Sequence, residues 1–161
     1  MIKKAIVIGC PGAGKSTFSK KLSTLTGLPL YHLDMIWHKK DKTTISREEF
    51  DTALKNIMSK QEWIIDGNYA RTLENRIKEC DTVFFLDIPT DVCLENVKTR
   101  IGKPRDDMPW IEEHFDEEFK KWIIDFPDRE LTEIYKLLEE YKKQKNISIF
   151  KSKEEINANF K

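Results

Sequence analysis

The sequence carries no excess of charge of either sign: 28 Lys and Arg stand against 28 Asp and Glu in 161 residues. A protein built chiefly to hold nucleic acid usually shows a basic surplus, so direct DNA binding is not expected. Cysteine is scarce. Cys10, Cys80 and Cys93 form no Cys-x-x-Cys pair, and the three histidines show no ligand spacing with them. That argues against a disulfide framework and a structural zinc site and suits a reduced, cytoplasmic setting. No apolar run approaches the roughly 20 residues of a membrane span, and the one near the N-terminus is too short for a signal peptide. Glycine is sparse as well, with 6 residues in all. Yet Gly9, Gly12 and Gly14 crowd into a single stretch, "GCPGAGKS".

The rest of the chain reads as one domain, residues 1–161, with alternating strand and helix signals. Four apolar runs, "KAIVI", "EWIID", "TVFFLDI" and "ISIF", suit parallel strands buried on both faces, and "LPLYHLD" is a weaker fifth. Helical stripes lie between them. Phe18, Leu22 and Leu25 form one. Phe50, Ala53, Leu54, Ile57 and Met58 form a second, preceded by Ser46 and Glu49 at capping-box spacing. Ile111, Phe115, Phe119, Trp122 and Phe126 form a third, and Leu131, Ile134, Tyr135 and Leu138 a fourth. Strand alternating with helix predicts a three-layer α/β fold around a parallel sheet of about five strands. The segment "IGKPRDDMP" breaks the pattern with two prolines and a glycine, as a functional lid or a plain surface connection would.

Gly9, Gly14, Lys15 and Ser16 satisfy G-x-x-x-x-G-K-[ST], the phosphate-binding loop, between a strand and a helix as that motif requires. Glycines let successive backbone N–H groups turn inward onto phosphate oxygens, and the following helix adds its dipole and free amides. The nucleotide-binding candidates are therefore Gly9, Cys10, Pro11, Gly12, Ala13, Gly14, Lys15, Ser16 and Thr17. Lys15 is placed to meet the β- and γ-phosphates of ATP, and the Ser16 hydroxyl to ligate Mg²⁺. Asn-Lys-x-Asp, the guanine-reading signature, is missing. Cys10 lies inside the loop with nothing nearby to make it a nucleophile, and His32, His38 and His114 read as pocket-wall or surface residues.

Four stretches, "VIGCPGAGKSTFSKKLS", "IIDGNYARTL", "VFFLDIPTDVCLENVKTRIGK" and "PRDDMPW", resemble in order and spacing the bacterial DNA topology modulation (FlaR-related) proteins. These are adenylate-kinase-like small P-loop kinases. "HLDMIWH" and "WIIDGNY" carry the more specific part of the likeness, which extends over nearly the whole chain. The resemblance implies a sheet of the nucleoside-monophosphate-kinase type, an acceptor-side region at about 34–62 and a short mobile lid at about 101–110.

Asp66 ends a strand pattern, where carboxylates face the ligand crevice of parallel sheets. By the resemblance it would hold Mg²⁺ with Ser16, and it is preferred over Asp87. Asp34 would orient an acceptor hydroxyl or take its proton. Trp37 and Tyr69 could line the acceptor pocket or simply belong to the core. Arg71 and Arg76 are the candidates for an acceptor phosphate. Arg71 stands five residues after Asp66 where an adenylate kinase has its arginine four after, and the usual proline is missing. Arg100 resembles the arginine that stacks on adenine at the start of the lid, and Arg105 would close on the transferred phosphoryl. Arg129 is a weaker phosphate candidate.

Two readings follow. One is an ATP- and Mg²⁺-dependent kinase acting on a small nucleotide or metabolite. The other is an ATP-binding regulator of DNA topology or transcription, for which no helix-turn-helix, zinc finger or strongly basic face is present.

Overall fold

The computed structural model describes residues 1–160. Five strands form one sheet: β1 (Lys4–Gly9), β2 (Leu30–His32), β3 (Trp63–Asp66), β4 (Thr82–Leu86) and β5 (Asn146–Phe150). Every pairing is parallel, in the order β2-β3-β1-β4-β5. The three central strands are the near-continuous apolar runs, and Ile6, Val7, Ile64, Ile65, Val83 and Phe85 are wholly buried. Such strands must be covered on both faces. Phe84 and Phe85, being successive strand residues, point to opposite sides. Phe84 meets Phe18 of helix α1 (Lys15–Thr26) at 5.0 Å between ring centroids, whereas Phe85 meets Tyr135 of helix α7 (Thr132–Tyr141) at 5.5 Å. The three expected layers are present.

Between these lie α2 (Leu33–Trp37), α3 (Arg47–Met58), α4 (Ala70–Glu79), α5 (Thr90–Arg100) and α6 (Glu117–Ile124), with α8 (Lys153–Asn159) at the end. Helix α3 begins as its spacing predicts. The Ser46 hydroxyl accepts from the Glu49 amide at 3.1 Å, and the Glu49 carboxylate accepts from the Ser46 amide at 3.2 Å.

Three expectations need correction. The weak fifth strand stops at His32, and Asp34 lies in the first turn of α2 rather than at a strand end. The apolar stripe from Ile111 does not make a helix at its start. Residues 101–116 are irregular, and α6 opens only at Glu117. The reason is local: the Gly102 amide donates to the Glu112 carbonyl at 2.6 Å, closing residues 102–112 into a loop. The loop is therefore longer than the 101–110 expected. Trp122, read as part of that helical stripe, is 51% exposed.

Arg71 and Arg76 both take structural places. Arg76 is entirely buried. Its guanidinium donates to the Gly67 carbonyl at 2.9 Å, the Tyr69 carbonyl at 3.0 Å and the Thr72 hydroxyl at 3.1 Å, and also to the Asn68 carbonyl. Burial lowers its pKa to about 10, and the cation is spent on gathering the backbone of the β3–α4 connection. Arg71 points the other way. It forms a two-pronged pair with Asp51 of α3, at 2.7 and 3.1 Å, with both side chains more than two-fifths exposed. Sequence spacing alone could not separate these two fates, because both arginines sit on one helix.

Replacing Arg76 by Met should cost about 3 kcal/mol or more, since buried carbonyls lose their donor together. Arg71→Ala breaks only an exposed pair and should cost no more than about 1 kcal/mol. Urea unfolding midpoints with a common slope measure both. On the same scale, Ser46→Ala should lose about 1 kcal/mol through the missing cap.

Candidate active site

The site lies at the carboxyl ends of β1 and β3, where the chain, having built one half of the sheet, crosses to build the other. Parallel sheets bind ligands at such a point. Val7 is in register with Asp66, and the Gly67 amide donates to the Val7 carbonyl at 3.1 Å. Strand pairing thus sets the loop after β1 beside the loop after β3.

The glycine-rich loop is held from below and behind. Gly12 has φ +87°, and a Cβ there would lie 2.3 Å from the Cys93 carbonyl oxygen, so only glycine lets the loop rest on α5. Asn96 of α5 donates to the Gly12 carbonyl at 2.8 Å. The start of α1 has no side-chain cap and no acid in its first turn. Its free amides are left for an anion, with the helix dipole behind them. The Lys15 ammonium folds back onto the Gly9 and Cys10 carbonyls, at 2.9 and 3.1 Å. Pro11 through Thr17 line the cleft. Gly9 and Cys10 lie beneath it, buried, and contribute carbonyls rather than surface. The neighbouring Cys93, together with burial, pushes the Cys10 thiol far up, which keeps it protonated, and its Sγ faces the Ile123 carbonyl at 3.9 Å.

Asp66 is 5% exposed and lines the cleft. Its Oδ2 meets His32 Nδ1 at 2.8 Å. Burial alone would lower the His32 pKa, but the Asp66 hydrogen bond and charge outweigh it and raise the value. Asp87 instead accepts from the Tyr135 hydroxyl and is tied to α7.

Across the cleft, Asp34 and Tyr69 come together. The Tyr69 hydroxyl donates to Asp34 Oδ1 at 2.6 Å. Burial first, and then the Asp34 charge, drive the phenol well above its ordinary range, so it remains a donor. Tyr69 has φ +36°, an uncommon region for a residue with a bulky side chain. Arg76 bonds its carbonyl, and its ring stacks on Phe50 at 5.2 Å with Trp37 edge-on at 6.5 Å. Trp37 and Tyr69 both line the cleft, as a pocket wall rather than sealed core. Arg71 and Arg76 do not line it.

The 101–116 loop closes over this space. Arg105 donates through Nε and Nη2 to Asp107, at 2.9 and 2.6 Å, and through Nη1 to Glu112. Its guanidinium has five N–H groups, so two remain for another acceptor. Arg100 lies 3.6 Å from Glu112, and burial lowers its pKa. Both arginines line the cleft. Trp110 sits edge-on to His38 at 6.0 Å, and the Lys42 ammonium lies 5.4 Å from its ring centroid, so the loop touches the acceptor-side segment.

Sequence reasoning missed four contributors. Asn96 holds the phosphate loop, Glu112 neutralises the lid arginines, Trp110 meets His38, and Glu130 accepts from Asn68 at 2.5 Å. Of these, Trp110 and Asn96 had a signal, lying within the quoted stretches "PRDDMPW" and "VFFLDIPTDVCLENVKTRIGK". Arg129 is better placed than expected. It lines the cleft and lies 3.4 Å from the Trp122 ring centroid, with Glu130 beside it at 2.8 Å. The cleft measures about 1520 Å³. That exceeds the roughly 300–1,000 Å³ of a single small-molecule pocket and leaves room for two ligands. Among the described residues, no helix is long and apolar enough to cross a membrane.

No family model matches the chain. Over 89 residues it is 30% identical to the adenylate kinase of Thermotoga petrophila, a stretch covering 54% of this chain and 40% of that enzyme. The chain therefore spans less than half the length of that relative. Over 118 residues it is 27% identical to the shikimate kinase of Rhodococcus jostii, covering 65% of this chain and 70% of that one. A solved shikimate kinase from Acinetobacter baumannii, in complex with shikimate, superimposes with a TM-score of 0.63 at 17% identity, covering 99% of this chain and 89% of its own. At that identity the likeness concerns the fold, and a fold alone does not establish an activity. The matches support the fold, a five-stranded parallel sheet of the kind these P-loop kinases have. They do not carry the narrower resemblance to DNA topology modulation proteins.

Proposed function

We propose that the protein transfers the γ-phosphoryl group of ATP to a small-molecule acceptor. One observation carries the reading: a single cleft has the uncapped, glycine-shaped loop on one wall and the Asp34–Tyr69 pair on the other. Phosphoryl transfer needs positioning and charge neutralisation more than covalent help.

In this reading the loop amides and Lys15 hold the triphosphate, and Lys15 leaves the Gly9 and Cys10 carbonyls for the β- and γ-phosphates. Arg100 lies against the nucleotide. Arg105 uses its two spare N–H groups on the transferred phosphoryl while Asp107 and Glu112 keep it in place. Asp34 uses the oxygen not bonded to Tyr69 to orient the acceptor hydroxyl and receive its proton as the new O–P bond forms and ADP leaves.

The residues fit Mg²⁺. Among the described residues no cluster of three His, Cys, Asp or Glu could cage a metal alone, and Mg²⁺ normally relies on one or two protein oxygens plus phosphate and water. Ser16 and the Asp66 oxygen left free by His32 would hold it, where it offsets phosphate charge.

Lys15→Ala should abolish detectable binding of magnesium ATP in titration calorimetry. Asp34→Asn keeps the shape and should retain that binding while lowering acceptor-dependent kcat by about 10²- to 10⁴-fold. Failure of the unmodified protein to bind magnesium ATP at millimolar concentration would refute the reading.

A further inference from the structure

We infer that the acceptor is an uncharged hydroxyl compound bearing a flat, hydrogen-bonding ring, the chemistry of a nucleoside, rather than a phosphate ester or carboxylate. This deepens the kinase reading and rests on it.

The charges in the cleft carry the first half of the argument. An anionic substrate needs a guanidinium or ammonium free to face it. Arg71 points away to Asp51, and Arg76 is consumed by backbone carbonyls. Arg105 is bracketed by Asp107 and Glu112, and Arg100 shares Glu112. Arg129 is paired with Glu130. Every arginine lining the cleft thus has a carboxylate partner. An incoming anion that took one of them would leave that carboxylate facing it at short range. At Arg100 or Arg105 it would also feel the Asp34 charge. Among the described residues, Lys42 is the acceptor-side cation that lines the cleft; it has no carboxylate partner, and its ammonium lies over the Trp110 ring.

The second half comes from what the same walls offer instead. Trp37, Tyr69 and Trp110 present aromatic surface to the cleft. Two cleft-lining residues outside the nucleotide's share each bury a polar atom with no partner: Asn68 Oδ1 and Trp110 Nε1. A buried polar atom without a partner is unusual enough to ask for one. These atoms comprise one acceptor and one donor. A heterocycle with ring nitrogens and an exocyclic amine or carbonyl supplies both kinds of partner, and its faces suit the aromatic walls. A hydroxyl on the attached sugar can then reach Asp34. The hydroxyl proton passes to Asp34, the O–P bond forms, the bond from the γ-phosphorus to ADP breaks, and the products are ADP and a phosphate monoester.

The test compares matched pairs at saturating magnesium ATP, with ADP release as the signal: adenosine against AMP, guanosine against GMP, cytidine against CMP, thymidine against TMP, and shikimate as an anionic hydroxyl compound. At least one nucleoside should raise ADP release tenfold or more above the rate with ATP alone, while its monophosphate and shikimate leave that rate unchanged. Greater stimulation by a monophosphate or by shikimate overturns the inference. So does silence across the whole panel in protein that binds magnesium ATP by calorimetry. Absence of that binding strikes the kinase reading itself. Trp110→Phe keeps the ring and removes its N–H. It should raise KM for the active nucleoside about tenfold and leave KM for ATP unchanged, and an unchanged nucleoside KM would remove Trp110 from ring recognition.

Discussion

The pairing of β1 with β3 is the constraint on which everything else depends. Because Val7 is in register with Asp66, the glycine-rich loop and the carboxylate leave the sheet side by side. Neither would mean much alone. A loop of backbone amides gathers negative charge, and a carboxylate beside it repels that charge unless a cation lies between them. In the proposed reading that cation is Mg²⁺, carried in with the phosphates.

Around this junction the protein spends buried polar groups to hold backbone in uncommon shapes. Gly12 rests against the Cys93 carbonyl, and Asn96 of the same helix bonds its carbonyl. Tyr69 is kept at positive φ by Arg76, by stacking on Phe50 and by its bond to Asp34. Strain of this kind costs on the order of 1–3 kcal/mol and persists only where surroundings enforce it. Its concentration on both walls of one cleft shows where the fold invests its rigidity. The 101–116 loop differs. Its order comes from a small internal network, Arg105 with Asp107 and Glu112, and from the Lys20–Asp106 pair that ties it to α1.

Much of the framework was legible beforehand because it rests on local chemistry. Apolar runs announced β1, β3 and β4, Ser46 and Glu49 announced a helix start, and the glycine-lysine-serine pattern announced an anion site. The third stripe failed because periodicity records where apolar residues recur, not whether backbone bonds follow. Gly102, Pro104 and Pro109 break helical bonding across residues 101–116, and the apolar side chains there serve a loop. The positions of Arg71 and Arg76, away from the cleft, were illegible for a different reason. Burial decides an arginine's role, and burial is a property of the assembled sheet and helices.

By itself the sequence determined the strand–loop–helix that would wrap a phosphate chain, the parallel sheet, and the position of Asp66 at a strand end. These depend on contacts between near neighbours and on hydrophobic periods. Only the tertiary structure decided that Asp34 and Tyr69 form a pair, 35 positions apart along the chain, that Arg76 is a buried brace, and that each arginine at the cleft is matched by a carboxylate. Those outcomes depend on which distant side chains meet and on how much water remains between them, and neither quantity is written in spacing along the chain.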